Sequence, residues 1–265
     1  MHTPKKKPIY LGFASQKGGV GKSTLAEVLA SILYYERGVS LFVIDCDDTQ
    51  ESFFKLRERD KAIVAESPEI ASYLKGFFQK FGKPSYVIFR SNAREALALA
   101  QKQTEVLSKQ GDIALVLFDF PGHASTQELL NLSIEMDYII SPIEADPQSL
   151  ASSLAYAETI RDLGISLADA PIKDLWLLWN KVNRSASTAV MDYYSSYAQG
   201  EELGIFTSRI YHSVRFAREL SQGGAKSVFR CSYLPPSAAL RASTGIDEWV
   251  SEVIEKLNLK DEEDE

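Results

Sequence analysis

The sequence predicts a three-layer α/β/α fold, a mostly parallel twisted sheet with helices on both faces, and three observations carry that prediction. Short apolar runs alternate with helix-periodic stretches along most of the 265 residues, which implies βαβ units and parallel strands. A glycine-rich turn follows the first apolar run and opens the first helix. Two later apolar runs end in aspartate, where open α/β sheets present their ligand crevice. With 45% apolar and 25% charged residues the chain has enough material for a full core, and no Pro/Ser/Gly tract divides it. Residues 1–260 are therefore expected to form one domain, followed by an acidic tail at 261–265. That tail supplies five of the acids behind the net charge of −7, so the body is nearly neutral.

Residues 9–14 are short and apolar and read as the first strand; 25–37 read as a helix closed by Gly38. The run at 40–44 is continuous and β-rich, hence a buried strand, expected to neighbour the first. Residues 51–60 have helical spacing, with Phe53, Phe54 and Leu56 apolar and the charges of Arg57, Glu58 and Arg59 expected to face solvent. No clean period runs through 61–82, which read as mixed helix and loop. Strands follow at 86–89 and 113–118, around a helix at 93–109 whose Leu97, Ala100, Thr104 and Leu107 share a face. A helix at 127–135, a strand at 138–141 ended by Pro142, a helix at 148–163 and a strand at 175–179 continue the alternation. Trp176 and Trp179 should lie on opposite faces of that last strand. Residues 189–203 read as helix, 205–211 as extended and 214–222 as helix. The closing amphipathic helix at 246–257 has Ile246, Val250, Val253, Ile254 and Leu257 on one side.

Between the first strand and the first helix lies Gln16-Lys17-Gly18-Gly19-Val20-Gly21-Lys22-Ser23-Thr24. Backbone N–H groups of such a turn converge on a phosphate, glycines let the backbone come close, and the helix N-terminus adds partial positive charge. Gly18, Gly19, Val20, Gly21, Lys22, Ser23 and Thr24 are the expected nucleotide cradle, with Lys22 on the β- and γ-phosphates and Ser23 on Mg²⁺. The usual G-x-x-x-x-G-K-[ST] spacing wants glycine where this chain has Gln16, and a second lysine stands at position 17. The resulting K-G-G-x-G-K-S-T variant resembles the deviant phosphate loop of the ParA/MinD family of ATPases. That resemblance implies a phosphate-loop NTPase fold, ATP and Mg²⁺ as cofactors, ATP hydrolysis, and an ATP-dependent homodimer in which Lys17 reaches the partner's phosphates.

The strand at 40–44 runs into Asp45-Cys46-Asp47, similar to the family's D-x-D motif. The resemblance gives Asp47 the alignment of the attacking water and Asp45 a place in the Mg²⁺ shell. Asp48-Thr49-Gln50 keeps the family's glutamine but lacks its proline. The strand at 113–118 ends in Asp119-Phe120-Pro121-Gly122, an aspartate placed to hold Mg²⁺ through water, and resembles the family's D-x-P motif. Asn180 matches the adenine-reading asparagine, and Pro235 a proline that packs on the adenine. Leu56-Arg57-Glu58-Arg59-Asp60, following D-C-D, resembles the TraA-type members carried on conjugative transposons, which implies DNA partition or conjugative transfer. Within 205–241, Arg209, Arg215, Arg218, Lys226, Arg230 and Arg241 stand against the single acid Glu219. The family's DNA-partition members carry DNA-binding cations in this region, so non-specific DNA and an unidentified partition or transfer protein are the expected partners.

Cys46 and Cys231 lie in no C-x-x-C spacing, against a disulfide framework, a zinc site or an iron–sulfur carrier, and fit a reducing cytosol. No run approaches the roughly 18 apolar residues of a membrane span. The last helix meets Lys260 and five acids rather than the basic tail of membrane-binding relatives, so no membrane partner is expected and the location is cytoplasmic, on the nucleoid when ATP-bound. His123 is not expected to act as a base, since this hydrolysis needs positioning more than proton removal, and His2 and His212 have no visible partners. Two alternatives stand beside the ATPase: a metabolic phosphate-loop ligase or kinase, which would not need Lys17, and a nucleotide-gated module with little turnover.

Overall fold

A computed structural model describes residues 7–122, 126–167, 169–185, 187–221 and 224–259. The expected tail at 261–265, His2 and His123 lie outside the described residues, as does the side chain of Lys226.

Seven strands form one sheet: β1 (Ile9–Phe13), β2 (Leu41–Asp45), β3 (Ile88–Arg90), β4 (Leu115–Asp119), β5 (Tyr138–Ile143), β6 (Asp174–Val182) and β7 (Gly204–Tyr211). Their order is β3-β2-β4-β1-β5-β6-β7 and every pairing is parallel. β2 and β4 are buried along their whole length, as strands covered on both faces must be, which is why they read as unbroken apolar runs. β2 does not neighbour β1. The first crossover carries the chain past one strand position, and the wholly buried β4 fills it. That insertion brings Asp119 into register with Asp45 on one side and Phe13 on the other.

The helices are α1 (Lys22–Tyr35), α2 (Ser52–Glu66), α3 (Pro68–Phe81), α4 (Ala96–Leu107), α5 (Gln127–Ile134), α6 (Pro147–Ser166), α7 (Ala189–Gly200), α8 (Ala238–Arg241) and α9 (Ile246–Leu257). Strand alternation divides the core between two faces. Leu11, Phe13, Val43 and Trp176 pack under α1 and α9, whereas Tyr10, Phe42, Ile44 and Trp179 pack under α4 to α7. α9 turns Ile246, Trp249, Val250, Val253 and Leu257 into the core. Among the described residues no helix is long and apolar enough to cross a membrane.

Three local expectations fail. Residues 61–82 are helical on both sides of a break, because Ser67 accepts a hydrogen bond from the Ile70 N–H and Pro68 opens α3 at its first position. Pro142 does not end β5, which runs on to Ile143 with Pro142 opposite Leu178. Of the helix expected over 214–222, the described residues 214–221 form only a 3₁₀ turn, Val214–Ala217, with Arg218 extended, and 222 lies outside the described residues. Leu220 is drawn instead into a third cluster with Ile70, Leu74, Val228, Cys231 and Leu234, so tertiary packing overrides the helical period.

Candidate functional site

The glycine turn joins β1 to α1 at the C-terminal edge of the sheet. No side chain caps α1 and no acid lies in its first turn, so its free N–H groups face the turn unopposed. Gly21 has φ +95°, and a Cβ there would stand 2.6 Å from Asn180 Nδ2. Asn180, near the end of β6, donates Nδ2 to the Val20 carbonyl at 2.7 Å, and the next residue, Lys181, donates Nζ to the Gly19 carbonyl at 2.6 Å while pairing with Glu144 at 2.8 Å. The turn is thus held from the side by two residues 160 and 162 positions away. Asn180, which the resemblance puts beside the adenine, lies beside the turn with its amide nitrogen on Val20 and also lines the cavity that adjoins the turn.

Strand register collects the carboxylates. Asp119 is 1% exposed, and neither of its oxygens has a hydrogen-bond partner. Ser23 is close without making a well-formed bond to it. Burial raises the Asp119 carboxyl well above the usual carboxylate range, the Asp45 charge adds to this, and Ser23 and Lys22 offset only part. Burial also lowers the Lys22 ammonium below its usual value, against the pull of Asp119 and Asp47. A buried carboxylate with both oxygens free, beside a serine hydroxyl, is a hard-oxygen donor set of the kind that takes Mg²⁺ together with substrate phosphates. The residues present fit that ion, with Asp119 and Ser23 as its donors. Asp45 lies next in register but accepts from the Phe54 N–H at 2.9 Å and the Asp47 N–H at 3.2 Å, so both of its oxygens anchor backbone. Asp47 Oδ1 accepts from Thr49 N, Thr49 Oγ1 and Gln50 N. Sequence reasoning gives Thr49 and Gln50 no such role, although an Asp followed by Thr at i+2 is a turn signal.

A cavity of about 410 Å³ adjoins the turn, walled by Gly21, Thr24, Asn180, Tyr211, His212 and Phe216 among others, within the range of small-ligand sites. The Arg184 guanidinium lies 3.8 Å from the centre of the Tyr211 ring. Pro235 is not among these lining residues, and its neighbour Leu234 packs with Ile70 and Leu74. Tyr211, which the sequence reading does not single out, lines the cavity. An aromatic residue at a strand C-terminus is the signal that could have found it.

Lys17 does not project freely: its Nζ pairs with Asp146 at 3.3 Å, both side chains being about half exposed (42% and 49%). The basic segment is also largely spoken for. Arg209 pairs with Asp192, Arg230 with Glu27 and Glu219, and Arg241 with Glu36 and Asp247. Arg215 donates to the carbonyls of Leu240 and Ala242, and Arg218 is exposed. A count of six cations against one acid overlooks these partners because four of them lie outside the segment.

Comparison with known proteins agrees with this geometry. Solved structures of similar fold include an ATP complex of a McdA variant from Cyanothece (17% identity, 96% of this chain and 97% of that one, TM-score 0.59). A ParA family ATPase from Chlorobium tepidum TLS (17%, 92% and 99%, 0.56) and a plasmid partition protein from Borrelia burgdorferi (17%, 95% and 100%, 0.54) are similar too. At these identities the likeness is one of fold. No curated protein sequence gives a significant match. The family described as the CobQ/CobB/MinD/ParA nucleotide binding domain matches residues 11–225, which contain the turn, both aspartate-ended strands and Asn180, and the chain belongs to that family.

Proposed function

We propose that the protein is a Mg²⁺-dependent ATP hydrolase that dimerises around its nucleotide and acts in DNA partition or in conjugative transfer of a mobile element. The observation that carries the nucleotide chemistry is Asp119, whose buried, unpartnered oxygens lie beside Lys22 and Ser23 at the mouth of the glycine turn. Bound Mg²⁺ would neutralise charge developing between the β- and γ-phosphates. The turn amides and Lys22 bind those phosphates, and Asn180 and Lys181 hold the turn in shape. Asp47, fixed by Thr49 and Gln50, orients water. Lys17, paired with Asp146 in the free chain, leaves it to reach a partner's phosphate, at a cost of no more than about 1 kcal/mol for an exposed pair. The DNA role rests on the family resemblance and on Arg215 and Arg218, since the other described cations of that segment are paired with acids.

A second reading, a nucleotide-gated positioning module with little turnover, draws support from Asp47, which already accepts three hydrogen bonds from its own loop. Light scattering with and without Mg-ATP tests the main one. Wild type should shift toward dimer, Asp47→Ala should accumulate as dimer because hydrolysis slows by about 100-fold, and Lys17→Ala should stay monomeric. Normal dimerisation by Lys17→Ala would favour the metabolic ligase or kinase.

A further inference from the structure

The buried face of α2 is formed by Phe53, Leu56, Arg57 and Asp60, so charge sits where an apolar stripe would be expected. Both charges belong to the Leu56 to Asp60 motif, whose Arg57 the helical period turns toward solvent. Both close on one residue, Ser232. Arg57 donates Nε to Ser232 Oγ at 2.7 Å and Nη2 to the Ser232 carbonyl at 2.9 Å. Asp60 Oδ2 accepts from Ser232 N and Ser232 Oγ, each at 2.7 Å. Every polar atom of Ser232 is therefore bound to α2. A second link runs parallel to it: Arg59 of α2 pairs with Glu219, Glu219 with Arg230, and Arg230 with the fully buried Glu27 of α1.

Two residues before Ser232, Arg230 lines the cavity beside the glycine turn with Tyr211, Phe216 and Ala217, and the Arg218 carbonyl, next to Ala217, accepts from Phe229 N and Arg230 N. At its other end α2 starts from the aspartate pair, since its Phe54 N–H is held by Asp45 and Glu51 N by the Asp47 carbonyl. Arg57 is bound through Nε, Nη1 and Nη2, and Asp60 through Oδ2 while its Oδ1 is buried without a partner, so α2 and Ser232 are linked by buried hydrogen bonds that are costly to break. We infer that Arg57, Asp60 and Ser232 are positioning residues through which filling of the nucleoside cavity sets the placement of Asp45 and Asp47. The inference rests on the nucleotide reading above and adds that the nucleoside, not the phosphates alone, orders the water-aligning carboxylate.

Hydrogen exchange of the α2 amides, followed with Mg-ADP and with inorganic triphosphate, tests it, with ADP binding measured separately by calorimetry. Mg-ADP should slow exchange across α2 about tenfold in wild type, and triphosphate, which fills the turn without the cavity, should not. Ser232→Ala should still bind ADP but lose the slowing, and Ser232→Thr should restore it. Should Ser232→Ala fail to fold, Arg57→Lys keeps the charge but cannot bond both the Ser232 hydroxyl and carbonyl, and should lose the slowing likewise. Equal slowing by triphosphate, or ADP binding with no slowing in wild type, would overturn the inference and leave the nucleotide reading standing. Absence of ADP binding would overturn both.

Discussion

The two ends of the site handle buried charge in opposite ways. At the phosphate end, Asp119 is buried with neither oxygen partnered, and Lys22 lies nearby with its ammonium depressed by burial. Behind the cavity wall, Arg57, Glu27 and Arg230 are buried or nearly so and bound to named groups, and Asp60 is bound through Oδ2, with only its Oδ1 unpartnered. A buried charge without a partner is costly and persists where a ligand completes it; a buried charge with partners fixes geometry. The first end is therefore the candidate for ligand chemistry, and the second, in the reading proposed above, positions it.

The sharpest test of that contrast is Lys22→Ala. Its removal takes away the buried cation at the phosphate cradle, and ATP affinity should fall about 100- to 1000-fold by calorimetry. ATP bound as tightly as in wild type would put the phosphates elsewhere. Asp119→Asn separates ligand need from stability. It removes a carboxyl whose ionisation burial penalises, so without ligand the melting temperature should rise relative to wild type, more so at higher pH, while the Mg²⁺ dependence of ATP binding is lost. A lower melting temperature would mean that Asp119 is structural.

At the other end, burial pushes the Glu27 carboxyl up from 4.5 to about 7 despite Arg230. The folded chain thus keeps a proton there that the unfolded chain has already released. Its contribution is present below pH 4.5 and is lost as pH rises through about 7. Melting profiles from about pH 5 to about pH 8 should slope downward more in wild type than in Glu27→Gln, and parallel profiles would remove Glu27 as the source. The smallest expected effect on the nucleotide site is at the DNA surface, where Arg218 is exposed and Arg215 gives up two hydrogen bonds to carbonyls. Arg215→Glu with Arg218→Glu should abolish retention on arbitrary duplex DNA and flatten a salt dependence of about −0.9 per phosphate contacted, leaving ATP-dependent dimerisation intact. Unchanged retention would move the DNA surface away from this segment.

Particular residues show where sequence reading succeeds. Gly18 to Thr24 are contiguous, so spacing alone exposes their chemistry, and Asp45 and Asp119 betray themselves by ending apolar runs. Arg57 and Asp60 are hidden from it because helical periodicity reports polarity and not burial: a charged residue satisfied by a partner 172 or 175 positions away looks like a solvated one. Leu234, beside Pro235, packs against α3, a helix whose own period is obscured in the sequence by the break at Ser67-Pro68.

By itself the sequence determined the α/β class, the phosphate turn and the strand-end aspartates, because each is written in residues adjacent along the chain, where backbone geometry and local hydrogen bonding act. Only the tertiary structure decided that β4 separates β1 from β2, that Tyr211 and not Pro235 borders the cavity, that Lys17 is held by Asp146, and that most of the basic segment is neutralised. Those outcomes depend on which distant groups burial forces together. A charge removed from water must find its partner in space, wherever the chain supplies it.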